Sequence, residues 1–331
     1  VELKLLAKLF TTDEARVAAT LNHNGYTIKE AAEINNLPDT EVKALLIGMV
    51  KKGLLDLKKD ADRGLVFSLI PFVVGFYERQ NGNIDKEFAE LFEKYYHESF
   101  HKVMTVSPSV HRVIPIERTI PVNIDVMPYE KASNYINTAK SWGVLKCICR
   151  VQKNLIGQGC DHPVENCLVF SPRESAFDRA EGIRAIDLNE ALEILAEADR
   201  AGLVHSTNNA QNDVNYICNC CSCSCGVLRG IAEYGSKDSI ASSDFIAIVD
   251  AELCTGCEEC LERCNFNALE IIDNISVVNV ENCFGCGLCV TTCPTEAITL
   301  KEKSSENIST PPLNDSEWLK RRAKSREIQA N

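Results

Sequence analysis

Cysteine spacing is where this sequence carries most of its chemistry. Residues 251–271, AELCTGCEECLERCNFNALEI, and residues 280–300, VENCFGCGLCVTTCPTEAITL, align without a gap at a period of 29. Cys254, Cys257, Cys260 and Cys264 fall on Cys283, Cys286, Cys289 and Cys293. Each copy reads C-x2-C-x2-C-x3-C and then runs into a short apolar stretch, 268–272 or 297–300, of strand character. Thiolates at this density are metal ligands. Three of them at successive x2 spacing suit one face of an iron–sulfur cube, whereas zinc ribbons favour paired C-x2-C hooks. The competing assignment is two four-thiolate zinc knuckles.

This segment resembles a bacterial two-cluster ferredoxin domain over about 50 residues. The resemblance implies two [4Fe-4S] clusters in a crossed arrangement, the fourth Cys of each run ligating the other cluster. Cys254, Cys257, Cys260 and Cys293 would hold one, and Cys283, Cys286, Cys289 and Cys264 the second. Gly256, Gly285 and Gly287 would permit the bends, and the fourth thiolate of each copy is expected to start a helix leading away. Asn265 stands where the second copy has Pro294, a departure expected to touch a helix start and no ligand.

Nine more cysteines lie upstream: GVLKCICR (Cys147, Cys149), GCDHPVENC (Cys160, Cys167) and CNCCSCSC (Cys218, Cys220, Cys221, Cys223, Cys225). The stretch 144–151 reads as a strand presenting Cys147 and Cys149 on one face. Cys160 and Cys167 read as members of a Gly/Pro/Asn loop able to wrap an ion. Nine thiols suffice for two four-thiolate sites with one spare, or for one site and a reactive vicinal pair at Cys220–Cys221. The readings are a third, or a third and fourth, [4Fe-4S] cluster; zinc, with His162 as a mixed ligand; or free thiols. Between these groups, 188–201 predicts an amphipathic helix with a core stripe of Leu188, Ala191, Leu192, Leu195 and Ala198, stopped by Gly202.

The elements that would carry these sites form a modular α+β chain. Residues 1–75 read as a winged helix, with S/T-x-x-E capping boxes at Thr11–Glu14 and Thr27–Glu30 opening helices over 12–23 and 28–36. A third helix follows Pro38, with Val42, Leu45, Leu46, Met49 and Val50 on one face. A hairpin of 54–57 and 65–70 follows. Residues 76–130 read as a helical and extended linker, 131–240 as a cysteine-rich α/β module, 241–301 as a βαβ pseudo-repeat, and 302–331 as a loose polar tail. His97-Glu98-Ser99-Phe100-His101 is a literal H-E-x-x-H, but no third ligand follows at the extended spacing, so it is set aside as surface histidines near a helix end.

Composition narrows the functional classes. The 331 residues carry a formal charge of −12 and 17 cysteines. An odd thiol count with no secretory leader, the first ten residues being lysine-interrupted, argues for metal ligation in a reducing, cytoplasmic setting over a disulfide framework. The longest apolar stretch, 65–77, is too short to span a bilayer. The winged-helix segment is neutral and its third helix opens with Asp39 and Glu41, so nucleic acid is not the expected partner. No nucleotide-binding glycine loop occurs. The expectation is one-electron transfer by an iron–sulfur protein or subunit serving redox partner proteins in a larger oxidoreductase complex, with homodimerisation through the winged helix as one use of that module. The runner-up is an iron–sulfur redox-sensing transcriptional regulator. A third reading gives the middle module chemistry of its own through an open iron site.

Overall fold

The computed structural model describes residues 1–122, 124 and 126–330; Asn123 and Asp125 of the expected linker and Asn331 of the expected tail lie outside the described residues. The chain is mixed helix and sheet and divides into two units, Val1–Glu98 and Ser99–Asn331.

In the first unit, α1 (Glu2–Leu9) precedes α2 (Thr12–Ala18), α3 (Ile28–Asn35) and α4 (Asp39–Lys51). Both capping boxes form: the hydroxyls of Thr11 and Thr27 accept from the amides of Glu14 and Glu30, whose carboxylates accept the threonine amides in return. Helix α2 stops short of the expected residue 23. The Thr20 hydroxyl donates back to Val17 O at 2.8 Å and the Asn24 amide turns onto Asn22 Oδ1 at 2.7 Å, so local side-chain bonds replace the helical ladder. Val42, Leu46 and Met49 of α4 are buried against Val17, Ala31, Leu54 and Phe67. Strands β1 (Leu55–Asp60) and β2 (Gly64–Leu69) pair antiparallel, and Tyr26 bridges to Phe67 as a short third strand. The first strand runs further than the expected 54–57 because Asp60 Oδ1 gathers the amides of Asp62 and Arg63 and closes the turn late. Helix α5 (Lys86–Tyr95) completes the unit, stacking Phe92 on Tyr77 at 4.2 Å.

The second unit begins with α6 (His101–Met104) and β3 (His111–Val113). It continues through α7 (Ala132–Thr138), β4 (Ser141–Lys146), α8 (Ile148–Leu155), β5 (Glu165–Ser171), β6 (Arg184–Ile186) and α9 (Leu188–Arg200). Then come β7 (Val204–Asn208), β8 (Tyr216–Cys220), α10 (Gly226–Tyr234) and β9 (Ile240–Ala241). These strands make one sheet in the order β6-β4-β5-β8-β7-β3-β9, antiparallel except for the β3–β9 pair. Its main core is Val144, Leu168, Phe170 and Ile217 from the sheet against Ile136 of α7 and Ala191 and Ile194 of α9. Helix α9 falls where expected, but Ile194 takes the buried place assigned to Leu192, which is exposed. The remaining elements are β10 (Phe245–Val249), α11 (Glu259–Arg263), β11 (Leu269–Ile272), β12 (Ile275–Val278), α12 (Leu288–Thr292), β13 (Ile298–Glu302) and α13 (Asp315–Ala330). Strands β10 and β13 pair antiparallel, as do β11 and β12, so each half of the cysteine repeat is a strand–helix–strand unit.

Parts of the expected linker and of the expected tail pack into the second unit. Within the expected linker, β3 is an interior strand of the sheet. Its Arg112, 1% exposed, is bound to Glu130 and to Asp244 just before β10. In the expected tail, Arg322 of α13 is buried and donates to the carbonyls of Val103, Val106 and Pro108, while Trp318 Nε1 donates to Ser109 O at 2.9 Å. No helix among the described residues is long and apolar enough to cross a membrane.

Candidate metal centres

The eight repeat cysteines line two cavities, of about 360 and about 300 Å³ counting their open mouths. Cys264, Cys283, Cys286 and Cys289 line the larger, and Cys254, Cys257, Cys260 and Cys293 the smaller. Each cavity thus gathers three thiols from one copy and the fourth from the other. The fourth cysteine does not start a helix as expected. Cys264 and Cys293 cap the C-terminal ends of α11 and α12, whose five residues already hold the third cysteine. The x3 spacing carries the chain through one short helical turn and releases the fourth thiol at its far end. A side chain at Gly287, φ +83°, would put its Cβ 2.4 Å from Thr119 Oγ1, so this bend needs glycine.

Amides and hydroxyls already address the sulfurs. Ala268 and Ser276 donate to Cys264 Sγ at 3.2 Å and Cys254 Sγ at 3.3 Å, Ala247 lies 3.5 Å from Cys283 Sγ, and the Ser276 hydroxyl lies 3.3 Å from Cys260 Sγ. Burial pushes the Cys286 thiol up to about 12 and raises Cys264 and Cys289. Stacked Phe266 and Phe284 rings, 4.5 Å apart, wall the larger cavity. Apolar shielding with hydrogen-bonded sulfurs is the setting that tunes iron–sulfur clusters, and the donor set fits one in each cavity.

The nine middle cysteines sort differently from the expectation. The strand β4 ends at Lys146 with a register shift at Leu145/Lys146, so 144–151 is not one strand. Cys147 caps the N-terminus of α8 and Cys149 sits in its first turn. Cys167 is in β5, not in the loop with Cys160. Strand alternation separates Cys167 from Leu168, and Cys218 and Cys220 from Ile217, whose side chains enter the α9 core. With Cys225 at the N-terminus of α10, these six thiols neighbour and influence one another in a ring, in the order Cys147, Cys149, Cys225, Cys220, Cys218, Cys167 and back to Cys147.

Two of the six thiols are shifted toward thiolate. Bonds from Cys149 and Cys167 hold the Cys147 thiol well below its ordinary value, and bonds from Cys218 and Cys225 hold Cys220 at about 6. Donation to Cys147 raises Cys149 and Cys167, and Cys218 is raised by its bonds to Cys167 and Cys220. Cys225, for which the bond from Cys149 works the other way, is raised by its bond to Cys220 and by burial. Two helix N-termini meet the ring, a placement that favours thiolate. Beside it lies Arg150, 1% exposed, bonded to Pro163 O, Asn166 Oδ1 and Asn219 O at 2.8–2.9 Å. Burial opposes its charge, but the sulfurs of Cys147, Cys221 and Cys220 raise its pKa. Arg150 was not singled out from sequence, although it stands three positions after Cys147 on the same helix.

The remaining three middle cysteines meet His162. One donor atom each from Cys160, His162, Cys221 and Cys223 lies within 4.8 Å of every other. Cys221 Sγ faces Cys160 Sγ at 4.0 Å, whereas the neighbouring Cys220 Sγ faces the Ser206 hydroxyl at 3.6 Å. Of the H-E-x-x-H histidines, His97 is at the surface as expected and bonds Glu93 at 3.1 Å, but His101 is buried, its ring stacked on Tyr234 at 3.9 Å.

The repeat and the cysteine-rich sheet are joined beside the larger cavity. Asn265 accepts the Ser222 amide at 3.0 Å and donates to Gly202 O at 3.0 Å. The neighbouring Arg263 donates to the carbonyls of Asp199 and Arg200, and the Ile116 amide donates to Cys286 O. Asn265 is thus a bridge, where the sequence suggested only a tolerated departure at a helix start.

Residues 247–300 match the family model of the 4Fe-4S dicluster domain. No match to the chain is found among curated proteins. The match supports a ferredoxin-like 4Fe-4S domain at residues 247–300, beside a cysteine-rich region able to hold metal.

Proposed function

We propose that this protein relays single low-potential electrons between partner oxidoreductases through two [4Fe-4S] clusters in the crossed cavities and a third cluster in the six-cysteine ring. The observation that carries the reading is the pair of cavities, each with three cysteines from one repeat and the fourth from the other. Cys254, Cys257, Cys260 and Cys293 would hold one cluster, and Cys264, Cys283, Cys286 and Cys289 the other. The clusters supply reversible one-electron chemistry when bound. The chain's own groups do the rest: amides of 247, 268 and 276 favour negative sulfur, and Phe266 and Phe284 exclude water.

Direction follows from exposure. Cys257 is exposed, and the acidic residues Glu258, Glu259, Glu262 and Glu270 around its repeat are exposed with it, a surface suited to a basic partner face. The larger cavity faces inward, where Asn265 ties the Cys264 loop to the turn between Cys221 and Cys225. Six donors exceed the four of a tetrahedral ion, which favours a polynuclear centre in the ring. The helix–hairpin architecture of residues 12–69 supports a winged-helix reading, used for docking protein or a second copy. Its α4 exposes Asp39, Glu41 and Lys43, and its turn cation Arg63 is engaged by Glu30, so no observation favours nucleic acid or the regulator reading.

EPR of the anaerobically purified, dithionite-reduced protein tests the relay. Two magnetically interacting one-electron centres are expected from the dicluster segment, together with a third signal that disappears in Cys167→Ser. A protein that takes up no electrons below the range of ordinary thiol couples contradicts the proposal.

A further inference from the structure

We infer that Cys160, His162, Cys221 and Cys223 form a mononuclear zinc site, separate from every iron–sulfur position and fastening the turn that presents the ring cysteines. This goes beyond the electron-relay reading and does not depend on it. The geometry is that of one tetrahedral ion. With Zn–S near 2.3 Å and Zn–N near 2.0–2.1 Å, donors around one zinc stand about 3.5–3.8 Å apart. Here Cys160 Sγ and Cys221 Sγ are 4.0 Å apart and Cys223 Sγ and His162 Nδ1 3.7 Å apart, and all four donors lie within 4.8 Å of one another. Thiolates on a cubane stand on separate iron corners and are spread more widely than this. Three cysteines and one histidine are a closed set, with no position left for substrate, so the role is structural.

The surroundings fit that role. The Ser224 hydroxyl lies 3.4 Å from Cys160 Sγ, a bond able to orient the ligand. A Cβ at Gly159 would fall 1.7 Å from Asn154 Oδ1, so the 157–163 loop packs closely against the end of α8. An ion at this point would tie that loop to the 221–225 turn. The same turn connects Cys220 to Cys225 of the ring, and its Ser222 amide makes the Asn265 bridge to the dicluster segment.

The test is zinc and iron quantitation on full-length, anaerobically purified protein, with zinc K-edge absorption on the same sample. About one zinc per chain in a shell of three sulfurs and one nitrogen is expected. In His162→Ala and Cys223→Ser, zinc should fall to near zero while iron per chain stays unchanged. Absence of zinc, a shell of four sulfurs, or iron falling in step with zinc in these variants would overturn the assignment. The absorption measurement needs no variant, so it decides even if a substitution prevents folding. Because iron is read separately, failure of the zinc site is distinguishable from failure of the relay.

Discussion

Cys220 and Cys221 are joined by one peptide bond and serve different groups of donors. The Cys220 thiol is lowered to about 6 by the neighbouring Cys218 and Cys225, whereas Cys221 Sγ lies 4.0 Å from Cys160. Substituting each to serine should therefore give different losses. Cys220→Ser is expected to cost about four irons per chain and no zinc, and Cys221→Ser about one zinc and no iron, read by elemental analysis. Loss of the same metal in both would merge the two sites. A second residue-scale prediction concerns His111 of β3, 2% exposed, whose pKa burial lowers to about 4. The unfolded chain binds this proton from about pH 6.5 downward and the folded chain only near pH 4, so stability is complete above 6.5 and declines on acidification. The loss should approach about 3 kcal/mol by pH 4, and His111→Gln should remove that part of the slope in thermal midpoints measured from pH 7.5 to 5. A variant with an unchanged slope contradicts it. At this scale the repeat was readable because ligand spacing is a local constraint. His162 was legible only as one possible zinc ligand among the middle cysteines, and the burial of Arg150 beside them depends on neighbours the fold supplies.

Elements explain how the thiols were sorted. Period-two alternation in β5 and β8 sends Leu168 and Ile217 into the α9 core and leaves Cys167, Cys218 and Cys220 for the other face. Two helices then begin at cysteines, α8 at Cys147 and α10 at Cys225. The capping boxes of α2 and α3 and the extent of α9 could be read from sequence, because caps and amphipathic stripes are local. The break after Lys146 could not: the apolar run 144–151 suits a strand, and pairing with β5 decides where it ends. Nor could the place of β3, three residues long, next to the edge strand β9 and held by Arg112. Replacing that arginine by methionine would leave Glu130 and Asp244 buried without a counter-charge. The expected cost is about 3–5 kcal/mol, seen as a lowered thermal midpoint in the metal-loaded protein. A midpoint within a degree of wild type would show that the triad does not hold β3 to β10.

On the scale of the whole molecule, the net charge of −12 is unevenly distributed. All eight acidic residues of 251–300 are exposed, while the dicluster segment turns its cationic Arg263 inward onto the carbonyls at the end of α9. Composition alone reported the acidity and the surplus of thiols. It could not divide the nine middle cysteines into six and three, because that division depends on contacts between β5, β8 and two loops distant in sequence. The central claim is that iron–sulfur clusters fill the repeat and extend into the ring. Iron and acid-labile sulfide quantitation on the anaerobically purified full chain tests it most directly. About 12 of each per chain is the predicted result, eight from the crossed cavities and four from the ring. Zinc without iron at residues 254–293 would contradict the account.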